Sequence, residues 1–387
     1  MFTIKTYNAI SEKGLSRLSA QEYTIDPDAT APDAIMLRSY KMHDEPVADS
    51  VCAIGRAGAG VNNIPVAAMS ERGIVVFNAP GANANAVKEL VIAAMLIASR
   101  NLTEAWQYTT QLEGTDVEVS QAVEAGKKKY VGCELPGRTL GVIGLGAIGV
   151  QIANAADALG MRVVGFDPTI TVKSAWQLSA NVEEMDSADE LFKQADFVTF
   201  HVPLVESTRN LLNAERLKLM KDGAVVMNFA RDGIVDDAAL LEAIDSGKIH
   251  AYVSDFPSNL LKGHPKVITL PHLGASTNEA EENCAMMIAD QLNDYLKNGN
   301  IRNSVNFPNI KLARKGNSRI AIAHTNQPDM LAQMSHVLGQ AEVNILHMVN
   351  ESKGDLAYTL IDVESWPDAE TVKKISAVDG VLNVRVI

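Results

Sequence analysis

Thr139-Leu-Gly-Val-Ile-Gly-Leu-Gly-Ala-Ile-Gly149 constrains this chain more than any other stretch. Leu140, Val142 and Ile143 form the end of a β-strand. Gly144 permits a tight turn, Gly146 lets backbone approach a pyrophosphate, and Gly149 lets the following helix pack closely on the strand. That helix, QIANAADALG from Gln151, stops at Gly160, and MRVVGFD (161–167) is a second apolar strand ending in an acid. A pyrophosphate would sit on the helix N-terminus, where free N–H groups and the helix dipole favour an anion. Asp167 stands eighteen residues after Gly149, near the spacing of an acid that binds ribose hydroxyls. The unit reads as a dinucleotide site. Asp167 would repel a 2′-phosphate, which favours NAD over NADP.

The 387 residues suggest two or three domains. A formal charge of −13 argues against general binding of nucleic acid or anionic membrane. Cys52, Cys133 and Cys284 have neither pairing nor metal-ligand spacing, so no metal is expected and free thiols in a reducing cytosol are. The N-terminal MFTIKTYNAISEKG lacks a secretory apolar core, and the longest apolar run, Leu90–Ala98, is too short to span a bilayer. The expected setting is the cytoplasm.

The expected fold is α/β in three parts. Residues 1–90, with short strands such as AIMLRS, VCAIGRA and IVVFNAP, and residues 283–306 form one discontinuous, flavodoxin-like domain; 91–282 form the Rossmann-type nucleotide domain. Two long helices, Ala84–Trp106 and Asn278–Asn298, bracket the middle, and the polar stretch GTDVEVSQAVEAGKKK follows the first. Residues 307–318 read as a linker. The last stretch, 319–387, reads βαββαβ and contains no acid–base constellation, so it suits a regulatory module.

Three clusters lie at the C-terminal ends of expected strands, where open α/β sheets put their ligands: His201–Pro203, Asn228–Asp232 and Pro271–Gly274. Hydride transfer from a secondary alcohol needs a base for the hydroxyl proton, and a 2-hydroxy acid needs a cation for its carboxylate. His272 is the natural base, and the planar guanidinium of Arg231 suits a carboxylate. Taken singly, Arg231 also fits a surface ion pair and His272 a structural role.

RAGAGVNNI (56–64), IVVFNAPGANANAVKEL (74–90), GVIGLGAIG (141–149), HVPLVESTRNLL (201–212), MNFARDGIVDDAALLEAI (227–244) and LPHLGASTNEAEEN (270–283) occur here in order. With these motifs the chain resembles the D-isomer-specific 2-hydroxyacid dehydrogenases, and within them the phosphoglycerate dehydrogenase branch. Residues 319–338 and 343–348, RIAIAHTNQPDMLAQMSHVL and VNILHM, resemble an ACT domain.

The resemblance implies NAD-dependent oxidation of D-3-phosphoglycerate, the first step of L-serine biosynthesis. It makes Arg231 the substrate-carboxylate arginine and His272 the acid–base. Arg38, Lys41 and the Ala57-Gly58-Ala59-Gly60 backbone would meet substrate. Ile148, Val202, Pro203, Phe229, Ala230, Asp255 and Gly274, together with Gly144, Gly146, Ala147, Gly149, Asp167, Arg231 and His272, fall at cofactor positions. His324, Asn326 and Asn344 match an L-serine effector site in paired ACT domains. A homodimer or homotetramer is expected, with the two long helices around its interface.

Three positions depart from the family, one of them Tyr40, which replaces a basic residue found in some relatives. The family's histidine pairs with a glutamate shortly after the aspartate at 255; here Asn259 aligns with it given one deletion, and Leu260 without. Pro328-Asp329 replaces the usual Pro-Gly of the ACT domain. A hydroxypyruvate or glyoxylate reductase, and a non-catalytic NAD-sensing protein, are the rival readings.

Overall fold

The structure, a computed structural model, describes residues 1–387. It is α/β, with two parallel sheets and a C-terminal antiparallel sheet. The first sheet contains β1 (Phe2–Tyr7), β2 (Tyr23–Ile25), β3 (Ala34–Leu37), β4 (Ala53–Arg56) and β5 (Val75–Phe77), all parallel, in the order β2-β1-β3-β4-β5. That is the flavodoxin-like order.

The second sheet holds β6 (Thr139–Ile143), β7 (Arg162–Phe166), β8 (Glu183–Glu184), β9 (Phe197–Phe200), β10 (Ala224–Asn228), β11 (Ile249–Ser254) and β12 (Val267–Thr269). Its order, β12-β11-β10-β9-β6-β7-β8, reverses at β6, next to the glycine turn. A ligand crevice in a doubly wound sheet lies at such a reversal. The strands β6, β9 and β10 are buried along their whole length, as expected where helices cover both faces of a parallel sheet.

The third sheet contains β13 (Ser318–Thr325), β14 (Ile345–Lys353), β15 (Leu356–Val363) and β16 (Val381–Val386), antiparallel in the order β14-β15-β13-β16. Helices Met330–Gln340 and Ala369–Ser376 complete βαββαβ, an arrangement consistent with an ACT domain. Ile320, Ile322 and Ile361 face these helices, where they meet Met334 and Leu338.

Contacts divide the chain into two compact units: Ala84–Thr277, and Met1–Asn83 with Asn278–Ile387. The expected breaks at 90 and 282 fall inside the helices Ala84–Ser99 and Asn278–Asn298, each of which stays whole. A continuous backbone ladder makes a helix a poor place for a boundary.

The C-terminal sheet shares a core with the first sheet. Ala321, Ala323, Tyr358 and Leu360 cluster with Phe77, Leu292, Tyr295 and Phe307. At this seam Arg319 and Asp362, both fully buried, form a two-pronged ion pair with N–O distances of 2.6 and 2.9 Å. The remaining Arg319 nitrogen donates to the carbonyls of Asn298 and Leu312, each at 2.8 Å. Burial pushes the Asp362 carboxyl upward, but the bonds from Arg319 and from the Lys315 N–H outweigh it and hold it below its usual value. Arg385 lies 4.6 Å above the Tyr295 ring.

The expected linker is built into this seam: Phe307, Ile310 and Leu312 are buried. The long helix expected over 84–106 is two, Ala84–Ser99 and Leu102–Thr110, broken at Asn101, whose φ is 50°. The polar stretch after them contains the helix Asp116–Gly126, begun by a capping box between Thr115 and Glu118. No helix is long and apolar enough to cross a membrane.

Candidate active site

The nucleotide unit builds its site from the ends of β6, β7, β9, β10 and β11. After β6, Gly144 turns with a φ of 92°, and a Cβ there would lie 2.8 Å from the backbone of His201. A Cβ on Gly149 would collide with the Gly144 carbonyl, so the helix start and the turn touch backbone to backbone. Gly146 faces open space and caps the helix Ala147–Ala158, which has no side-chain cap. Its first N–H groups are thus available to an anion.

Asp167, after β7, accepts the Leu145 N–H at 2.8 Å through one oxygen and the Thr169 N–H at 2.9 Å through the other. The acid and the glycine turn are therefore one piece. Uncapped amides, open space at Gly146 and a carboxylate one strand away fit a dinucleotide. Ile148 packs on the core beneath, and Val202 Cγ1 approaches the site of a Gly144 Cβ. Pro203 is exposed beside Val202. His201 bonds Thr199 at 2.8 Å through Nε2, and burial pushes its pKa down to about 3, so the ring is neutral.

Beyond β10, Phe229 and Ala230 are buried and Arg231 is exposed. Buried Asn228 shapes this turn: its amide donates to the Arg231 carbonyl at 2.8 Å and accepts the Ala230 N–H at 3.1 Å. Ser254 in turn donates to the Asn228 carbonyl at 2.9 Å. Arg231 forms no ion pair; its one bond is to the Ala230 carbonyl, at 2.6 Å. The guanidinium has capacity for a carboxylate.

Beyond β11, Asp255 is 1% exposed and holds the loop that carries the histidine. Its carbonyl accepts the His272 N–H and its Oδ2 the Gly274 N–H, both at 3.1 Å, while Oδ1 has no partner. Burial raises its carboxyl above the ordinary value, against the opposing pull of the Gly274 N–H and the nearby His272. His272 has a φ of 27°, rare for a residue with a side chain. Its exposed ring lies 4.9 Å from that of Phe256. Asn259 is exposed and makes no hydrogen bond to His272.

In the other unit, Arg38 pairs with Glu281 at 2.6 Å. Its carbonyl accepts from Arg56 at 3.0 Å and from Asn63 at 3.2 Å. The loop beyond β4 is pinned through its carbonyls: Gly58 accepts from Ala79 N–H at 2.9 Å, and Ala59 from the Asn78 amide at 2.6 Å. Ala57 donates to Leu37 at 2.7 Å, whereas the N–H groups of Ala59 and Gly60 donate to no group of the protein. Lys41 is exposed and forms no ion pair.

In the C-terminal module, His324 is 2% exposed and both ring nitrogens are engaged, one with the Thr325 carbonyl and the other with Thr359 and Asn350. Burial lowers its pKa, opposed by those bonds. Asn326 donates to Gly354 at 3.0 Å and Asn344 to Glu364 at 3.1 Å. Register puts His324 opposite Ala357, and Asn344 beside Glu364 at the far end of the sheet. Seven strand positions separate the two levels, about 23 Å. One copy of the module does not bring the three residues together.

Ser254, Arg56 and Glu281 were not singled out by sequence reasoning, and Asn228 only as the first residue of its strand-end cluster. Asn228 and Glu281 lie within family-like motifs, but nothing local marks a buried amide clamp or a pairing across 243 positions (281 less 38).

Residues 92–274 match the family model of the D-isomer specific 2-hydroxyacid dehydrogenase NAD binding domain. A D-3-phosphoglycerate dehydrogenase of Haemophilus influenzae is 33% identical over 353 residues, covering 88% of this chain and 82% of that protein. One from Methanocaldococcus jannaschii is 42% identical over 275 residues, covering 70% of this chain. The match spans half of that longer relative, 50% of its length. Among solved structures, an NAD+-bound 3-phosphoglycerate dehydrogenase of Entamoeba histolytica is 25% identical, with a TM-score of 0.59 over 79% of this chain and 98% of that one.

Proposed function

The chain belongs to the D-isomer-specific 2-hydroxyacid dehydrogenase family, and we propose that it oxidises D-3-phosphoglycerate to 3-phosphohydroxypyruvate with NAD, the first step toward L-serine. The observation that carries this reading is the exposed His272, its backbone bonded to Asp255 at the end of β11, next to β10, whose end carries an arginine that forms no ion pair. NAD, when bound at the uncapped glycine turn, supplies the hydride acceptor. Arg231 holds the substrate carboxylate through two N–H groups. His272 removes the C2-hydroxyl proton. Asp255 fixes the histidine loop, and its charge, when ionised, offsets the one His272 acquires. Arg38, Lys41 and the free N–H groups of Ala59 and Gly60 are the proposed further substrate contacts, the phosphate included. Asn259 is proposed only as the residue aligned with the family's glutamate.

We place the reaction in the cytoplasm, in keeping with three unpaired thiols, two of them buried. The proposed assembly is a homodimer or homotetramer. L-Serine is the proposed effector, held by His324 and Asn326 of one copy with Asn344 of another, since one module keeps them at opposite ends of its sheet. The catalytic reading is tested by following NADH formation from D-3-phosphoglycerate. Turnover is expected to fall by about 10²–10⁴ in His272→Asn, with Arg231→Ala acting mainly on KM. Near wild-type turnover in His272→Asn would remove the histidine from its role, and no turnover by the wild-type chain would favour a sensor.

A further inference from the structure

The helix Asn278–Asn298 buries Cys284, Ala285, Ile288 and Leu292 against the first sheet. Its other flank lines a groove of 640 Å³, bordered by Arg17 and by the segment that carries Asn300 and Arg302. Within this groove Gln291 is 6% exposed, yet neither its Oε1 nor its Nε2 has a partner. Buried amide atoms are nearly always bonded, so two orphans on one side chain mark a place for another polar group. An amide asks for a group that can both donate and accept, or for one of each.

The charges around Gln291 narrow the chemistry. Arg302 lines the same groove, is exposed and forms no ion pair. Two acids stand on the helix side. Asp290 is paired with Arg17 at 2.5 Å, and Asp294 accepts the amides of Asn298 and Asn300 at 2.8 and 2.9 Å. Two guanidinium groups and two carboxylates leave the groove without net charge, so a simple anion or cation would meet as much repulsion as attraction. Met286 and Met287 add adaptable apolar surface.

We propose that this groove is a binding site for a free α-amino acid. Its carboxylate is held by Arg302, its ammonium lies toward Asp290, and a polar group meets the Gln291 amide. The site is separate from the C-terminal module and does not rest on the dehydrogenase reading, because its test reads binding and not turnover.

The test is thermal melting of the full chain with each of the twenty proteinogenic amino acids at millimolar concentration. At least one is expected to raise the apparent Tm by about 2 °C or more. The rise should vanish in Arg302→Ala and in Gln291→Leu and persist in Asn344→Ala. Without ligand, Gln291→Leu should melt at or above the wild-type temperature, because it removes two unpaired atoms. No shift with any amino acid would overturn the proposal, as would shifts that are all retained when Arg302→Ala is combined with Asn344→Ala. A lower melting point of ligand-free Gln291→Leu would make the amide structural. A change of oligomeric mass in either variant would assign the groove to an interface, and both results would overturn the site.

Discussion

Asp255 joins the loop of His272 to the end of β11, and its own ionisation is opposed by burial. The folded carboxyl titrates above the unfolded one, whose pKa is about 3.9. Below that value both states are protonated and the group contributes nothing. As pH rises through the window between the two values, the unfolded state loses its proton first, and the fold then bears an unfavourable charge. Asp255→Asn is therefore expected to raise the melting temperature relative to wild type at pH 7 and not at the acid end. A melting difference that is the same at both ends would contradict this. Asp167 was read as a candidate ribose acid from its spacing alone. What spacing could not show is that it also ties down the Leu145 N–H. Asp167→Ala should thus weaken NAD binding by about ten- to a hundredfold, from loss of a charged hydrogen bond worth about 1.5–3 kcal/mol, while narrowing the preference over NADP. Unchanged affinities for both would confine the acid to a minor part in the turn.

At the scale of elements, the parallel strands were readable because strands buried on both faces are continuous apolar runs. The helix Asp116–Gly126 was not, because it buries only Gly126 and so lacks an apolar stripe. Its one legible signal was Thr115 followed three residues later by Glu118. The break at Asn101 was hidden because asparagine tolerates the left-handed region. Asp329 has a φ of 70°, which accounts for the glycine usual there. Asp329→Gly is expected to stabilise the chain by up to about 1 kcal/mol, as seen in denaturant melts; a loss of stability would mean the Asp side chain matters more than its backbone. Gly149→Ala has the opposite expectation. Its methyl would meet the Gly144 carbonyl, which cannot turn aside as a side chain would. Overpacking of this kind costs about 1–3 kcal/mol. Retained stability and NAD affinity in that variant would show that the turn has slack.

Across the whole molecule, the C-terminal module reads in sequence as a separate domain behind a linker, yet it shares a buried seam with the first sheet. Periodicity identifies each module but cannot pair Arg319 with Asp362, or send both donors of one Arg319 nitrogen to carbonyls 14 residues apart (312 less 298). Removing one partner of a buried ion pair costs about 3–5 kcal/mol, because the other charge is left unpaired. Arg319→Ala should therefore destabilise the unit that holds both sheets, and a chain ending after Pro308 should not retain its fold. Calorimetry in which that truncated chain melts like the full one would refute the shared core. The proposed oxidation of D-3-phosphoglycerate is tested most directly by steady-state NADH formation from D-3-phosphoglycerate, D-glycerate and D-lactate with NAD. The expected result is kcat/KM for the phosphorylated acid at least about tenfold above either other acid, the contribution of charge-assisted phosphate bonds worth about 1.5–3 kcal/mol. Equal use of the three acids, or preference for an unphosphorylated one, would contradict it.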